Sequence, residues 1–339
     1  MRTNVYLTID TEHSMGGAWA NPTLRPVPTE RRIFCRIDGK DHGIGWLCDE
    51  LGRHKFRATF FAEMFGSLFF GRDDTRSWCQ YLLDCGQDVE LHTHLNLYYY
   101  TQQQAAAPRV TSAPTDDLAN VPSPLRTELL EQACDLFRYA TGYHPRAFRA
   151  GNWRADRALM SDLAKAGIRL DSSFNPAARA GGSFAGETLE VNALQRIDRL
   201  WELPLSVVRQ SLPEPHLVDG ARPFDLVSLS SWEIRKSLDD AHQAGTPHVV
   251  AVLHSFSGVK PKDVQYGQMK PDSVVRRRVR SFLDHLAANR DQFRVSTCDE
   301  LVAELNDTQP GVGCAPPNLG FVHPLARKVV QAVNSIYWV

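Results

Sequence analysis

The sequence has no cysteine pair spaced C-x-x-C, no apolar run near the ~20 residues that span a bilayer, and no excess of either charge. Each absence excludes a class. The seven cysteines (35, 48, 79, 85, 134, 298 and 314) are scattered and odd in number. They read as reduced thiols in a reducing compartment, not as a disulfide framework. With 38 basic against 39 acidic residues the formal charge is −1, so no global electrostatic case for nucleic-acid binding exists. The cluster Arg276-Arg277-Arg278 with Arg280 reads as a solvated helix face. A strand pattern starts almost at the first residue, with no basic and apolar leader before it. The cytoplasm is the expected location.

What is present is a rhythm. At 339 residues the chain can bury a large core. Short apolar runs fall at Val5–Ile9, Ala58–Ala62, Val89–His92, Ala147–Ala150, Arg169–Ser173, Leu200–Val207, Val249–His254 and Arg294–Thr297. Helical patterns lie between them, including Arg126–Thr141, Ala155–Ala166, Ser231–Ala244 and Ser273–Asn289. Gly52, Gly142, Gly167 and Gly245 stand where helices should stop. Such alternation predicts an α/β fold with a mostly parallel sheet, and seven to eight such units over residues 1–305 predict a barrel-like closure.

Three segments interrupt it. Gln102–Pro124 reads as a long loop over the site mouth, and Ala177–Gly186 as a Gly- and Ala-rich mobile stretch. Residues 306–339 form a Pro/Gly linker, Asp307–Asn318, and an amphipathic helix, Pro324–Trp338, striped by Leu325, Val329, Val333 and Ile336. The expected arrangement is a helix docked back on the barrel. The alternative is a membrane-surface helix aided by Arg327 and Lys328.

Polar residues end the apolar runs. The first gives Asp10, Glu12 and His13; the third, "DVELHTHLN", gives His92, His94 and Asn96. "AFRAGNW" gives Arg149 and Trp153, "RLDSSF" gives Asp171, and "VVAVLHSFS" gives His254. Any one of these has an ordinary explanation as a solvated loop residue, a cap or a salt bridge. Five strands ending this way point to a site at their carboxyl edge.

His92 and His94 share a face of an extended chain. With a carboxylate they make the ligand set of a hydrolytic zinc or related divalent-metal site. Asn96, at i+4 from His92, is a further ligand candidate, and so is His13. Asp10 and Glu12 suit divided labour, one on the metal and one taking a proton. Arg149 can pair with Asp10, and Asp171 suits a supporting role behind the site. His254 suits a general acid. "HSFS" lacks the glycines of G-x-S-x-G, which excludes a serine-hydrolase elbow.

In this order the motifs resemble the polysaccharide deacetylase superfamily, carbohydrate esterase family 4 and its relatives. The resemblance runs through "YLTIDTEHS", "ATFFAE", "GQDVELHTH", "AFRAGNWRAD", "GIRLDSSF", "WELPLS" and "VVAVLHSFS", covering most of residues 3 to 257. It implies a distorted (β/α) barrel, a divalent metal, zinc the expected one, and removal of N-acetyl groups from sugars. By position Asp10 resembles the catalytic base, Glu12 the metal carboxylate and His92 the first metal histidine. Arg149 resembles the arginine that orients the base, and His254 the catalytic acid. The chain departs from the common pattern twice, as in a divergent branch. Thr11 separates the two carboxylates, and His-x-His replaces histidines four apart, with Asn96 at i+4.

The expected reaction is metal-assisted hydrolysis of an acetamido group on a carbohydrate, with Glu12, His92 and His94 on the cation, Asp10 as base and His254 as acid. Tyr98–Tyr100 and Trp153 are candidates to stack on a sugar ring, with plain packing as the other reading. The alternatives are hydrolysis of another linear amide, such as an N-formyl sugar or small nitrogen metabolite, and a non-catalytic carbohydrate-binding relative.

Overall fold

The computed structural model describes residues 2–104, 115–177, 184, 188–214, 217, 219–305 and 308–336. Its strands are β1 (Thr3–Thr11), β2 (Thr59–Glu63), β3 (Asp88–Thr93), β4 (Ala147–Ala150), β5 (Leu170–Asp171), β6 (Gln195–Ile197), β7 (Leu200–Glu202), β8 (Val207–Arg209), β9 (Ala221–Pro223), β10 (His248–His254), β11 (Val259–Pro261), β12 (Met269–Pro271) and β13 (Phe293–Val295). Nine of them make one sheet in the order β10-β1-β2-β3-β4-β5-β7-β6, with β13 also on β1. Every pairing in it is parallel except β6 with β7.

The distorted barrel that the alternation and the resemblance together imply is therefore present, curled and left open between β6 and β10. Backbone bonds from residues 206, 224 and 226 to Val250 and Val252 bridge part of that gap. The run Leu200–Val207 is divided: β7 ends at Glu202, and β8 leaves the sheet to pair with β9. The short strands β6, β8, β9, β11 and β12 carry too few residues for a period-two signal, which is why the sequence does not announce them.

Side-chain alternation sorts this sheet into an outside and a bore. Val5, Leu7 and Ile9 of β1, with Val249, Ala251 and Leu253 of β10, join the large cluster under the helices. Tyr6, Phe61, Ala147 and Val250 belong to a second cluster on the opposite face. Asp10 and His254 continue the inward set of β1 and β10, and they stand side by side in the ladder. Likewise His92 is in register with Glu63 on one side and Arg149 on the other. Even spacing thus delivers the ionisable residues to the inner face at one end of the barrel.

The helices differ from expectation mostly at their ends. Gly142 has φ +90° and closes the helix Ser123–Thr141, as a left-handed glycine stop does. Gly52 does not act this way; it lies within Ile44–His54, and Lys55 takes the left-handed position at φ 56°. Gln102–Gln104 belong to a helix, Leu95–Gln104, and Ser123 already starts the next, so the expected loop Gln102–Pro124 is shorter than its composition implied. Residues 105–114 and most of Ala177–Gly186 lie outside the described residues. Asp307 of the expected linker lies outside the described residues, and residues 308–318 run along the barrel: Gly311 and Cys314 donate to the Leu194 and Val191 carbonyls, and Arg209 donates to Pro317. The helix Val322–Ile336 follows. Among the described residues no helix is long and apolar enough to cross a membrane.

Candidate active site and metal centre

β1 is buried along nearly all its length, so its end is held in place by the sheet on both sides. Glu12 leaves that end and meets both histidines. Its Oε2 is 2.8 Å from His94 Nε2 and 3.5 Å from His92 Nε2. One donor atom from each of the three lies within 4.8 Å of the others. β3 ends at Thr93, so His94 is already off the strand. The two imidazole rings still converge, 4.8 Å apart and nearly perpendicular.

The residues fit a divalent cation on three grounds. The donor set, two imidazoles and a carboxylate, is that of an open hydrolytic site. Each histidine is oriented through its other nitrogen: His92 Nδ1 lies 2.7 Å from the Arg149 carbonyl and His94 Nδ1 2.5 Å from Asp116 Oδ2. Finally, His92 Nε2 is buried with no hydrogen-bond partner beyond the long 3.5 Å contact to Glu12 Oε2, so it is free to take a ligand position. Burial alone would raise the Glu12 pKa, but the His94 charge and the hydrogen bonds of both histidines bring it well below the ordinary value. Burial opposes a charged His94, yet Glu12 and Asp116 push its pKa well up. The cluster is built for opposite charges at close range.

Asp10 sits beside this trio. Its Oδ1 accepts from Arg149 Nη1 at 2.7 Å, and both side chains are buried. Burial raises its pKa, but Arg149 first, then His92 and His254, hold it below the ordinary carboxylate value. Arg149 is itself fixed by the Ser172 carbonyl at 2.9 Å and the Ser172 hydroxyl at 3.0 Å, and stacks over Phe61 at 4.3 Å. A guanidinium with so many fixed partners cannot swing away, so Asp10 stays ionised and aimed. His254 is half-buried, tilted against Phe256 at 5.1 Å, with the half-buried Asp225 in electrostatic reach.

The remaining sequence candidates separate. His13 is not in the metal trio: it stacks on Phe70 at 4.3 Å, its Nε2 lies 3.0 Å from the Thr29 hydroxyl, and burial with the Arg32 charge lowers its pKa to about 3. Asn96 lines the cavity but is also outside the trio; its backbone N–H donates to Asp116 Oδ1 at 2.8 Å. Asp171 is fully buried behind the site. It accepts from the Ser173 hydroxyl at 2.7 Å, and that hydroxyl in turn accepts the Ala150 N–H beside Arg149. Burial raises the Asp171 pKa, and burial with the Asp171 charge raises that of its ladder neighbour Glu202 well above the ordinary value.

The aromatics pack instead of lining the cavity. Tyr100 is buried against Trp19 and Phe69, and Tyr98 against Phe65. Trp153 is half-buried, with φ 53° following Asn152 at φ 55°, and it is Asn152 that reaches the cavity wall. The turn after Arg149 has thus rotated the indole away.

The cavity holds about 270 Å³ and is lined by Glu12, His13, Arg32, Glu63, His94, Asp116 and their neighbours. Three of these were not among the sequence candidates. Arg32 donates from Nη2 to Glu12 Oε1 at 3.3 Å and lies over the Phe256 ring at 3.1 Å. Glu63, buried, accepts from the backbone of Phe65 at 2.6 Å and Gly66 at 3.0 Å, and burial lifts its pKa to about 7. Asp116 belongs to a segment that reads as plain loop. Glu63 alone had a clue, since it ends the run "ATFFAE" as Asp10 ends its own. Gly151 explains a small residue after Arg149: a Cβ there would stand 2.6 Å from the Thr93 carbonyl and 2.7 Å from His94 Nδ1.

No protein-family profile matches this chain, and no curated protein does. Solved structures do. A crystal structure from Mycobacterium smegmatis described as a "putative polysaccharide deacetylase" aligns over 91% of this chain and 95% of that one, at 15% identity and TM-score 0.51. A family 4 carbohydrate esterase from Streptomyces lividans aligns over 87% and 92%, at 13% identity and TM-score 0.42. A CE4 family pseudoenzyme from Bacillus anthracis aligns over 89% and 66%, at 11% identity and TM-score 0.43. The first of these establishes the class: this chain has the fold of the polysaccharide deacetylase structure from M. smegmatis.

Proposed function

We propose that the protein is a divergent member of the polysaccharide deacetylase superfamily. In this reading it is a metal-dependent hydrolase that removes an N-acetyl group from a sugar or sugar-containing precursor. One observation carries the reading: Glu12, His92 and His94 meet within 4.8 Å at the strand end where Asp10, clamped by Arg149, lies next to His254. A pure carbohydrate binder needs neither a base held ionised nor an acid beside it.

Glu12, His92 and His94 hold the cation, with zinc the expected metal. When bound, it supplies a Lewis acid that polarises the amide carbonyl and acidifies water. Asp10 accepts the proton of the attacking water, which it can do because Arg149 keeps it charged and fixed. His254 donates a proton to the departing nitrogen, without which an amine leaves poorly. Asp116 and the Arg149 carbonyl hold the two ligand histidines in the tautomers that present Nε2. The cavity suits one sugar ring better than a polymer groove, consistent with a small glycoside, nucleotide sugar or lipid-linked sugar made in the cytoplasm.

Metal analysis of purified protein, paired with acetate release from a panel of N-acetyl sugars before and after chelation, tests this. Metal near one equivalent and chelator-sensitive acetate release are expected. Protein that binds no metal, or acetate release indifferent to chelator, sinks the mechanism. A His92→Ala variant with full metal content sinks the ligand assignment alone.

A further inference from the structure

The amino edge of the sheet holds a second cavity, at the opposite end from Glu12 and its histidines. About 770 Å³ in volume, it is larger than the cavity at the metal centre, and it is lined by Lys165, Arg169, Arg196 and Arg199 against one carboxylate, Asp198. Three neighbouring pieces of chain deliver the cations. Lys165 ends the helix Arg157–Lys165, Arg169 immediately precedes β5, and Arg196 and Arg199 come from the β6–β7 hairpin. That hairpin turns through Asp198 at φ 54°, which sets Arg199 directly before β7. Trp201 adds a buried aromatic wall. It pairs with Arg196 in the ladder, its N–H donates to the Arg169 carbonyl at 3.1 Å, and its ring lies 5.9 Å from the Arg196 guanidinium.

Charge is balanced elsewhere along this edge but not here. Arg57, Arg146 and Arg294 each meet an acid of the helix Cys298–Glu304, namely Glu300, Asp299 and Glu304. In the cavity, Asp198 is engaged at 3.2 Å by Arg157, which is not among the lining residues. Lys165 reaches Asp162, whose other oxygen Arg126 already holds. Arg196 and Arg199 are exposed and meet no carboxylate among the described residues; Arg196 Nε donates to the Asp198 carbonyl at 3.3 Å. An ordinary solvated surface intersperses the two signs. Cations gathered around a concavity focus their field and draw an anion into it.

We propose that this cavity binds a small molecule bearing a diphosphate group. Guanidinium forks match phosphate oxygens two at a time. A lone carboxylate answers only one of these cations. Each phosphate brings up to about two negative charges and three acceptor oxygens, so a diphosphate engages several of them at once. The volume leaves room for an organic body beside the diphosphate, against Trp201. None of the residues lining this cavity lines the one at the metal centre, so the two sites are separate.

Isothermal titration of the full chain with pyrophosphate, and separately with uridine diphosphate, in magnesium-free buffer tests the proposal. One saturable site that weakens as salt is added is expected. Tighter binding of the nucleotide shows that an organic body adds contacts, and equal binding shows that the diphosphate alone is recognised; either supports the site. R196Q with R199Q, both at exposed positions, loses about tenfold or more in affinity at unchanged circular dichroism and metal content. R57Q, which removes a balanced cation from the same edge, keeps the wild-type affinity. Wild-type chain that binds neither probe overturns the proposal. So does a double variant that binds as tightly as wild type, which puts the ligand elsewhere, at the metal centre included. Orthophosphate bound as tightly as pyrophosphate, or an equal loss in R57Q, reduces the effect to general charge attraction and overturns it too. Because the readout is binding at the far end of the barrel, it succeeds or fails independently of the deacetylase assignment.

Discussion

The backbone carbonyl of Arg149 lies 2.7 Å from His92 Nδ1, while the guanidinium of the same residue lies 2.7 Å from Asp10. One residue therefore orients a candidate metal ligand with its main chain and the candidate base with its side chain. The two halves of the site cannot drift independently.

Arg149→Met separates those duties, because the carbonyl stays and the guanidinium goes. It leaves Asp10 charged, buried and unpaired, a loss of about 3–5 kcal/mol for a broken buried pair. Chemical denaturation should show that loss, and adding Asp10→Asn should recover part of it. Metal content should stay near the wild-type value, since His92 keeps its carbonyl partner. If Arg149→Met costs no stability, the ion pair is not the clamp described above.

Asp116→Asn weakens the grip on His94 without touching a ligand atom. Metal affinity, measured by competition with a chromophoric chelator, is expected to fall about 10–100-fold, the usual range for losing a histidine's outer partner. Affinity equal to wild type would show that His94 is held by the fold alone.

Gly151→Ala introduces a methyl 2.7 Å from His94 Nδ1 and 2.6 Å from the Thr93 carbonyl. Backbone on one side cannot yield, so His94 or β4 must move. A destabilisation of about 1–3 kcal/mol is expected, as for other overpacked sites. Metal affinity should drop with it. A thermal melt and a metal titration unchanged from wild type would contradict the packing.

His248, at the far end of β10, bears on acid stability. Its Nδ1 lies 3.0 Å from the Tyr6 hydroxyl, and burial lowers its pKa from 6.5 to about 4. The unfolded chain binds this proton first as pH falls. The contribution is therefore whole above pH 6.5 and is lost as pH drops toward 4, with a slope of at most about 1.4 kcal/mol per pH unit. His248→Gln should flatten urea-unfolding stability between those values. An equally steep profile in the variant would place the sensitivity elsewhere.

The residues legible in advance share one property: each lies at or near the carboxyl end of a strand of the main sheet. Asp10, Arg149 and His254 follow apolar runs whose alternation predicts the face they occupy, so period-two reasoning places them correctly. His94 was found by the same rule although the strand stops at Thr93. Trp153 is the second of two consecutive left-handed residues, a turn that alternation does not announce. Asp116 arrives from a loop and Arg32 from the one-turn helix Thr29–Arg32, both too short or irregular for a period to be read.

By itself the sequence determined the alternating α/β order, the edge of the sheet where chemistry gathers, and the pairing of Asp10 with Arg149. These follow from local periodicity and from the cost of burying a charge alone. Only the tertiary structure decided which residues close around Glu12, since Arg32, Glu63 and Asp116 depend on contacts between distant segments. It also decided which face of Val322–Ile336 turns inward. An amphipathic helix ordinarily buries its apolar side, but here Glu233 and Gln210 present buried oxygens to which Arg327 donates. The need to pair those groups outweighs the apolar face, and leaves it in water.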